Sequence, residues 1–390
     1  MYDVAVVGCD EYDIEKIKKA LTEAIEAIGG IDGIVKQGTR VAIKANLVAA
    51  AAADSATTTH PLFLCALCEI LCEKGAEVVI GDSPGGLYNA AFVGRVYKAA
   101  GMHECEKHGA RLNSNYDEKH AVCETAKVLK TFDYTAYLDD CDVIIDACKL
   151  KTHGMMGLSC AAKNMFGVVP GTKKPEYHFR YPSYEAFADM IIDIDEYFKP
   201  HLSLCDAIVG MEGNGPTAGD ARYIGCILAS FSPHKLDTVA ASIIDLPFES
   251  VPTLMAAEAR GLTTSDLSKI SVYGDPGKYR ISDYKNIGVK RSLLFKGDSK
   301  GVIKNIFGTI AKSALNSRPK LHKKECVGCN LCGNICPAKA ITIVKGKAVI
   351  NTSACIRCFC CQEFCPKGAM KVKRTLIATI LQREKRKKSK

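Results

Sequence analysis

The sequence predicts two unlike parts: an α/β domain with a largely parallel sheet over residues 1–290, and a small α+β ferredoxin-like dicluster domain over residues 320–375. Three observations carry this. Strand-like apolar runs alternate with helix-period segments through the first 290 residues. A four-cysteine pattern, C-x2-C-x2-C-x3-C-P, then occurs twice, 29 positions apart. The balance of charge also reverses between the two parts, from 29 Lys/Arg against 39 Asp/Glu in residues 1–290 to 23 against 4 in residues 291–390.

In chain order, strands are expected at 3–9, 40–48, 77–82, 142–150, 202–211, 223–230 and 269–274, with helices at 13–28, 60–74, 89–100, 183–197 and 233–244. Runs such as Val143-Ile144-Ile145 and Ile227-Leu228-Ala229 are continuously apolar, as strands of a sheet covered on both faces must be. In the helix after Pro61, Cys65, Cys68 and Cys72 share one face, interleaved with Leu64, Leu67 and Leu71; this pattern reads as buried packing rather than a metal site. From about residue 283 acidic residues vanish and Gly, Ser and Lys rise, marking a linker over 291–319 with an amphipathic helix at 302–315. A basic tail occupies 376–390.

The repeated cysteine pattern has a physical basis. Three thiolates two residues apart can wrap one face of an iron–sulfur cube, while the fourth, followed by proline, points to the other cube. Cys326, Cys329, Cys332 and Cys365 are therefore expected to hold one 4Fe-4S cluster, and Cys355, Cys358, Cys361 and Cys336 a second. Gly328, Asn330 and Gly333 let backbone N–H groups approach the sulfurs. Ile335, Ile341 and Ile343, then Phe364, Met370 and Val372, are expected as apolar sheaths. Zinc sites and disulfides do not ordinarily come as two four-cysteine runs each closed by proline. Cys360 falls outside the repeat and reads as a spare thiol beside the second cluster.

The chain has 390 residues, 20 cysteines, no tryptophan and a net charge of +9. It opens on a strand-like MYDVAVVG and contains no apolar run of about 18 residues, so a cytoplasmic protein with reduced thiols and no membrane span is expected. Two oxygen-sensitive clusters suit an anaerobic setting. The basic C-terminal part favours an acidic electron carrier, a ferredoxin or flavodoxin, as partner. The end at 383–390 reads as a solvated tail, not a nucleic-acid arm.

Polar loops gather at expected strand ends, where open α/β sheets place their ligands. They supply Lys44 and Asn46; His60 after three threonines; Asp82 in a Gly/Pro turn; Lys149, Lys151 and His153; Lys163 and Asn164; Gly171 and Lys173; and Asn214 beyond Asp206. Glycine-rich turns and lysines together point to a small anionic substrate. Lys151, His153 and Lys163 are the candidate catalytic groups, and the others candidate substrate ligands; His60 can equally serve as a helix cap. GVVPGTKK lacks P-loop spacing and GNGPTAG is not a dinucleotide fingerprint.

KANL, TTTHP, GDSPGG, KLKTH, AAKNMFGVVPGTKK and DAIVGMEGNGP, in this order, resemble the "domain of unknown function 362" family, whose members often carry a C-terminal dicluster ferredoxin module. The resemblance covers about 40–370 and implies an iron–sulfur protein without assigning an activity. The expectation is a ferredoxin-linked oxidoreductase passing electrons through two 4Fe-4S clusters to a small anion. The alternative is a non-catalytic electron-transfer protein or redox subunit that docks a partner enzyme.

Overall fold

The computed structural model describes residues 1–287 and 318–373. The expected helix at 302–315 and the basic tail lie outside the described residues.

The first part is α/β. Its strands are β1 (Val4–Gly8), β2 (Arg40–Ala45), β3 (Glu77–Gly81), β4 (Ala110–Leu112), β5 (Glu118–Val122), β6 (Thr131–Thr135), β7 (Val143–His153), β8 (Gly157–Ser159), β9 (Leu202–Glu212), β10 (Asp220–Ser230) and β11 (Val272–Tyr273). Its helices are α1 (Ile14–Ala27), α2 (Pro61–Glu73), α3 (Ala90–Ala99), α4 (Ala161–Met165), α5 (Lys174–Arg180), α6 (Tyr184–Phe198), α7 (Pro233–Ile243) and α8 (Pro252–Glu258). One sheet runs in the order β11-β1-β10-β9-β7-β2-β3-β4, with β8 folded back on β7. The pairs β9-β7, β7-β2, β2-β3 and β3-β4 are parallel, whereas β10 is antiparallel to both β9 and β1. The sheet is therefore mostly parallel and mixed at one side, because β9 turns directly into β10 instead of crossing over through a helix.

Both faces are covered. Ala5, Val7, Val41, Ile43, Val143 and Ile145 pack with α1, α2 and α3 on one side. The alternate residues Val4, Val6, Cys148 and Leu228 pack with α7 and α8 on the other, and Ala42 and Ile144 with α6. The helix α2 is buried over most of its surface, with Glu69 and Glu73 on its outer side, Cys65 and Cys68 fully enclosed and Cys65 Sγ 3.6 Å from Cys105 Sγ. The short β4, β5, β6 and β8, and the short helices α4, α5 and α8, were not expected; three to seven residues carry too little periodicity to be read.

The C-terminal part has two small antiparallel pairs, β12 (Arg318–Leu321) with β15 (Met370–Lys373) and β13 (Ile341–Val344) with β14 (Lys347–Ile350), and two single turns, α9 (Leu331–Asn334) and α10 (Cys360–Glu363). Because β12 begins at Arg318, the module starts slightly before residue 320. Ile341, Ile343 and Met370 pack around the thiols, but Phe364 and Val372, expected in a sheath, face the α/β domain instead.

This contact is a built seam. The Gln362 amide donates to Asn214 O (2.8 Å) and Gly215 O (2.7 Å), and Thr217 Oγ1 donates to Glu363 O (3.1 Å). Asn214 Oδ1 accepts the Val372 N–H (3.1 Å), while Asn214 Nδ2 donates to Met370 O (3.3 Å). Phe359 is 1% exposed in the core that includes Met155, Phe166 and Phe187. No helix among the described residues is long and apolar enough to cross a membrane.

Removing one side-chain partner of a paired amide costs about 1 kcal/mol. Asn214→Ala should therefore speed hydrogen exchange at the Val372 amide about fivefold, read by mass spectrometry, while exchange in β2 and β7 stays unchanged.

Candidate functional site

The C-terminal ends of β2, β3 and β7 meet α4 and the 166–174 loop, so side chains far apart in sequence converge there. Lys149, Lys151 and His153 alternate along β7. Lys151 and His153 are at most 1% exposed, because α10 and the 166–174 loop cover the strand end.

Three of the lysines are held by acceptors. Lys44 Nζ lies 2.8 Å from Asp82 Oδ1 and donates to Ala45 O (2.8 Å) and Asn164 Oδ1 (3.2 Å). Asp82 is itself oriented by the N–H groups of Leu47 (2.7 Å) and Ser83 (2.8 Å). Lys149 Nζ lies 2.8 Å from Asp206 Oδ2 and 2.6 Å from Tyr12 Oη. Lys151 faces no carboxylate: it donates to Asn46 Oδ1 (2.6 Å) and Thr57 O (2.8 Å). Burial, then the like charges of Lys163 and Lys149, bring its ammonium down to about 7. Asn46 and Asn164 tie the set together, with Asn46 Nδ2 donating to Asn164 Oδ1 (2.8 Å) and Asn164 Nδ2 to Asp146 Oδ1 (2.6 Å).

Lys163 differs from these. Its ammonium has no hydrogen-bond or ion-pair partner among the described residues and lies 4.8 Å from the centre of the Phe166 ring. It is half-buried, and burial lowers it from the usual lysine range. Lys174, donating to Ser83 O, is lowered to about 7, chiefly by burial. Both His153 and His178 are buried, and burial pushes His178 down to about 3.

The ferredoxin module supplies the remaining wall. Glu363 Oε1 lies 3.0 Å from His153 Nε2. His153 Nδ1 accepts the N–H groups of Met155 and Met156 (both 3.1 Å), so the neutral ring carries its proton on Nε2, toward Glu363. Burial alone would raise the Glu363 carboxyl, but His153, Lys163 and His178 outweigh it and bring it down to about 2. Glu363 is thus the carboxylate that faces this cationic set.

Other expected site residues take other places. His60 caps α2, its Nδ1 accepting the Leu62 N–H (3.2 Å) and its ring stacked on Tyr12 at 3.6 Å; burial lowers it to about 4. Lys173 points away, to Asp133 (2.8 Å) and Glu118. Gly171 brings two loops together, since a Cβ there would lie 2.0 Å from Pro84 O. Asn214 sits in the docking seam. Glu363, Gln362, Lys174 and His178 were not among the expected site residues. Aligning the two cysteine runs sets Gly333-Asn334 against Gln362-Glu363, a departure from the repeat that carries a signal for the latter pair.

The thiols fit an iron–sulfur module. Cys326, Cys329, Cys332 and Cys365 line one pocket with Leu321, Ile343 and Met370. Cys336 lies within electrostatic reach of Cys355 and Cys361, which gathers the other four. Backbone N–H groups of Ala340 and Ala369 reach Cys336 Sγ and Cys365 Sγ at 3.2 Å, the kind of bond that stabilises sulfur bearing negative charge. Fully buried Cys360 sits against Cys358.

Residues 41–242 match the family described as "Domain of unknown function (DUF362)", and residues 318–366 the "4Fe-4S dicluster domain". A thylakoid-associated protein of Synechocystis is 27% identical over 289 residues, 72% of this chain and 87% of its own. Among solved structures, a Thermotoga maritima protein (15% identity, TM-score 0.35) and the lactate racemase apoprotein of Thermoanaerobacterium thermosaccharolyticum (11%, 0.36) match 58% and 57% of this chain. The chain spans 57% and 54% of their lengths.

Between about pH 7 and the ordinary lysine value of 10.5, unfolding Lys151 takes up a proton, so the folded state gains stability as pH rises through that window. Comparing wild type with Lys151→Met by denaturant unfolding from pH 7 to 9, the variant should show a slope shallower by up to ~1.4 kcal/mol per pH unit.

Proposed function

Since the chain belongs to the domain of unknown function 362 family and carries an iron–sulfur module, we propose that it is a ferredoxin-linked oxidoreductase that reduces a small anionic substrate held among Lys151, Lys163, Lys174, His153 and His178. The observation that carries this reading is Glu363: the residue midway between Cys361 and Cys365 is also a wall of the lysine–histidine site. Two 4Fe-4S clusters, held by Cys326, Cys329, Cys332 and Cys365 and by Cys355, Cys358, Cys361 and Cys336, supply single electrons when bound. The substrate's anionic group displaces Glu363 and meets the unpaired Lys163 ammonium. Lys163, lowered by burial, donates the proton that accompanies reduction, and His153 holds a second proton on Nε2. The electrons come from a reduced acidic carrier.

That carrier meets the exposed loop of Cys329, flanked by Val327 (61% exposed) and Leu331 (46%) and ringed by the exposed Lys320, Lys323, Lys324 and Lys367. The same open face supports the second reading, a redox subunit that hands electrons to a partner enzyme.

Lys163→Ala separates the two. With about eight iron and eight sulfide per chain retained, an enzyme should lose roughly 100-fold or more in kcat, whereas a carrier should pass electrons from reduced ferredoxin to an acceptor protein at the wild-type rate. Steering is tested by Lys323→Glu with Lys324→Glu. Stopped-flow reduction by ferredoxin should slow about tenfold at low salt and converge with wild type at high salt; a salt-independent difference counts against a carrier at this face.

A further inference from the structure

We propose that Cys148, Cys160 and Cys205 form a metal centre of their own, a three-thiolate site for a soft closed-shell cation of the zinc or monovalent copper kind. The three come from separate elements: Cys148 from β7, Cys205 from β9 and Cys160 from the turn between β8 and α4. Cys148 and Cys205 are register partners on neighbouring parallel strands, so their side chains leave the same face of the sheet. Cys160 descends onto that face from the start of α4. Its Sγ lies 3.6 Å from Cys148 Sγ and 3.5 Å from Cys205 Sγ, and all three sulfurs are within 4.8 Å of one another. A metal with three bonds of about 2.3 Å to sulfur needs sulfurs about 4 Å apart, so a few tenths of an ångström of outward movement completes the site.

The surroundings suit such an ion. None of the three residues is more than 1% exposed, and Val4, Leu150, Leu158, Leu228 and Leu236 belong to the same core. Such an apolar enclosure keeps bulk water from competing as a ligand. Among the described residues this is the one group of three His, Cys, Asp or Glu side chains gathered so closely, and no fourth such ligand joins it. Cys65, Cys68 and Cys72, which share a helix face, do not converge in this way. Three sulfurs with no fourth donor fit monovalent copper better than zinc, which ordinarily completes a tetrahedron.

The site also has a mechanical consequence. The Asp237 carboxylate accepts the Ala161 N–H (2.7 Å) and the Ala162 N–H (3.1 Å), fixing the first turn of α4 against α7. A cation bound to Cys160 would fix the same turn to β7 and β9. Lys163 and Asn164 follow within four residues, so the ion would set the position of both site residues.

The test uses cluster-loaded protein purified anaerobically from cells supplied with copper and zinc. Elemental analysis should find about one non-iron metal per chain, lost in Cys160→Ala but kept in Cys226→Ala, a buried thiol of the same core outside the trio. Iron should be equal in all three. Copper or zinc at that stoichiometry supports the site and identifies the ion. Wild type without non-iron metal, or Cys160→Ala retaining it, overturns the proposal. Should Cys160→Ala fail to fold, X-ray absorption at the metal edge of wild type decides: three sulfur neighbours and no nearby iron support it, and oxygen or nitrogen neighbours or an iron neighbour overturn it.

Discussion

Burying ammonium groups is the constraint around which the α/β domain is arranged. A lysine taken out of water without an acceptor loses several kcal/mol of hydration, so it must be paired or give up its proton. Here Lys44 and Lys149 are paired with Asp82 and Asp206, and Lys151 is given two neutral oxygens. The loops that appear as separate short motifs along the chain are the pieces of this arrangement. Asn46 and Asn164 bridge between strands, and Gly171 lets the 166–174 loop press against the Pro84–Gly86 turn.

Among the described residues Lys163 is left without an acceptor and Lys174 has only the Ser83 carbonyl, and the module answers with one carboxylate, Glu363. Its two cysteine runs are alike in their thiols and unlike in what lies between them. Where the first run has Asn330, Gly333, Asn334 and Ile335, the second has Phe359, Gln362, Glu363 and Phe364. The substitutes form the docking face: Phe359 fills the core beside Phe166, Gln362 binds the 213–216 turn, Glu363 meets His153, and Phe364 lies against Gly85. The first run stays open to solvent at Cys329, and the second is pressed against the lysine cluster. In the enzyme proposed above, this polarity sets the direction from carrier to substrate.

How much of this was legible depended on the range of the interactions. The long strands and helices were readable because eleven continuous buried residues, or fourteen at helical period, repeat a local signal many times. The short strands β4, β5, β6 and β8 and the turn-length helices were not, because three to seven residues repeat no periodic signal. Among the candidate site residues, Lys44, Asn46, Lys149, Lys151, His153, Lys163 and Asn164 come together, since strand ends of a parallel sheet necessarily share an edge. His60 and Lys173 show the limit of that argument: their side chains are turned aside by Leu62 and Tyr12, and by Asp133 and Glu118, neighbours that no spacing rule names.

The cysteine spacing and the apolar runs by themselves determined an iron–sulfur module joined to an α/β domain, because both depend on residues close together along the chain. Only the tertiary structure decided that the module is seated on the site, that Glu363 and His178 belong to it, and that Cys148, Cys160 and Cys205 share one point in the core. Those outcomes rest on which surfaces exclude water from one another, and segments carried on separate strands and helices acquire that relation only when the chain has folded.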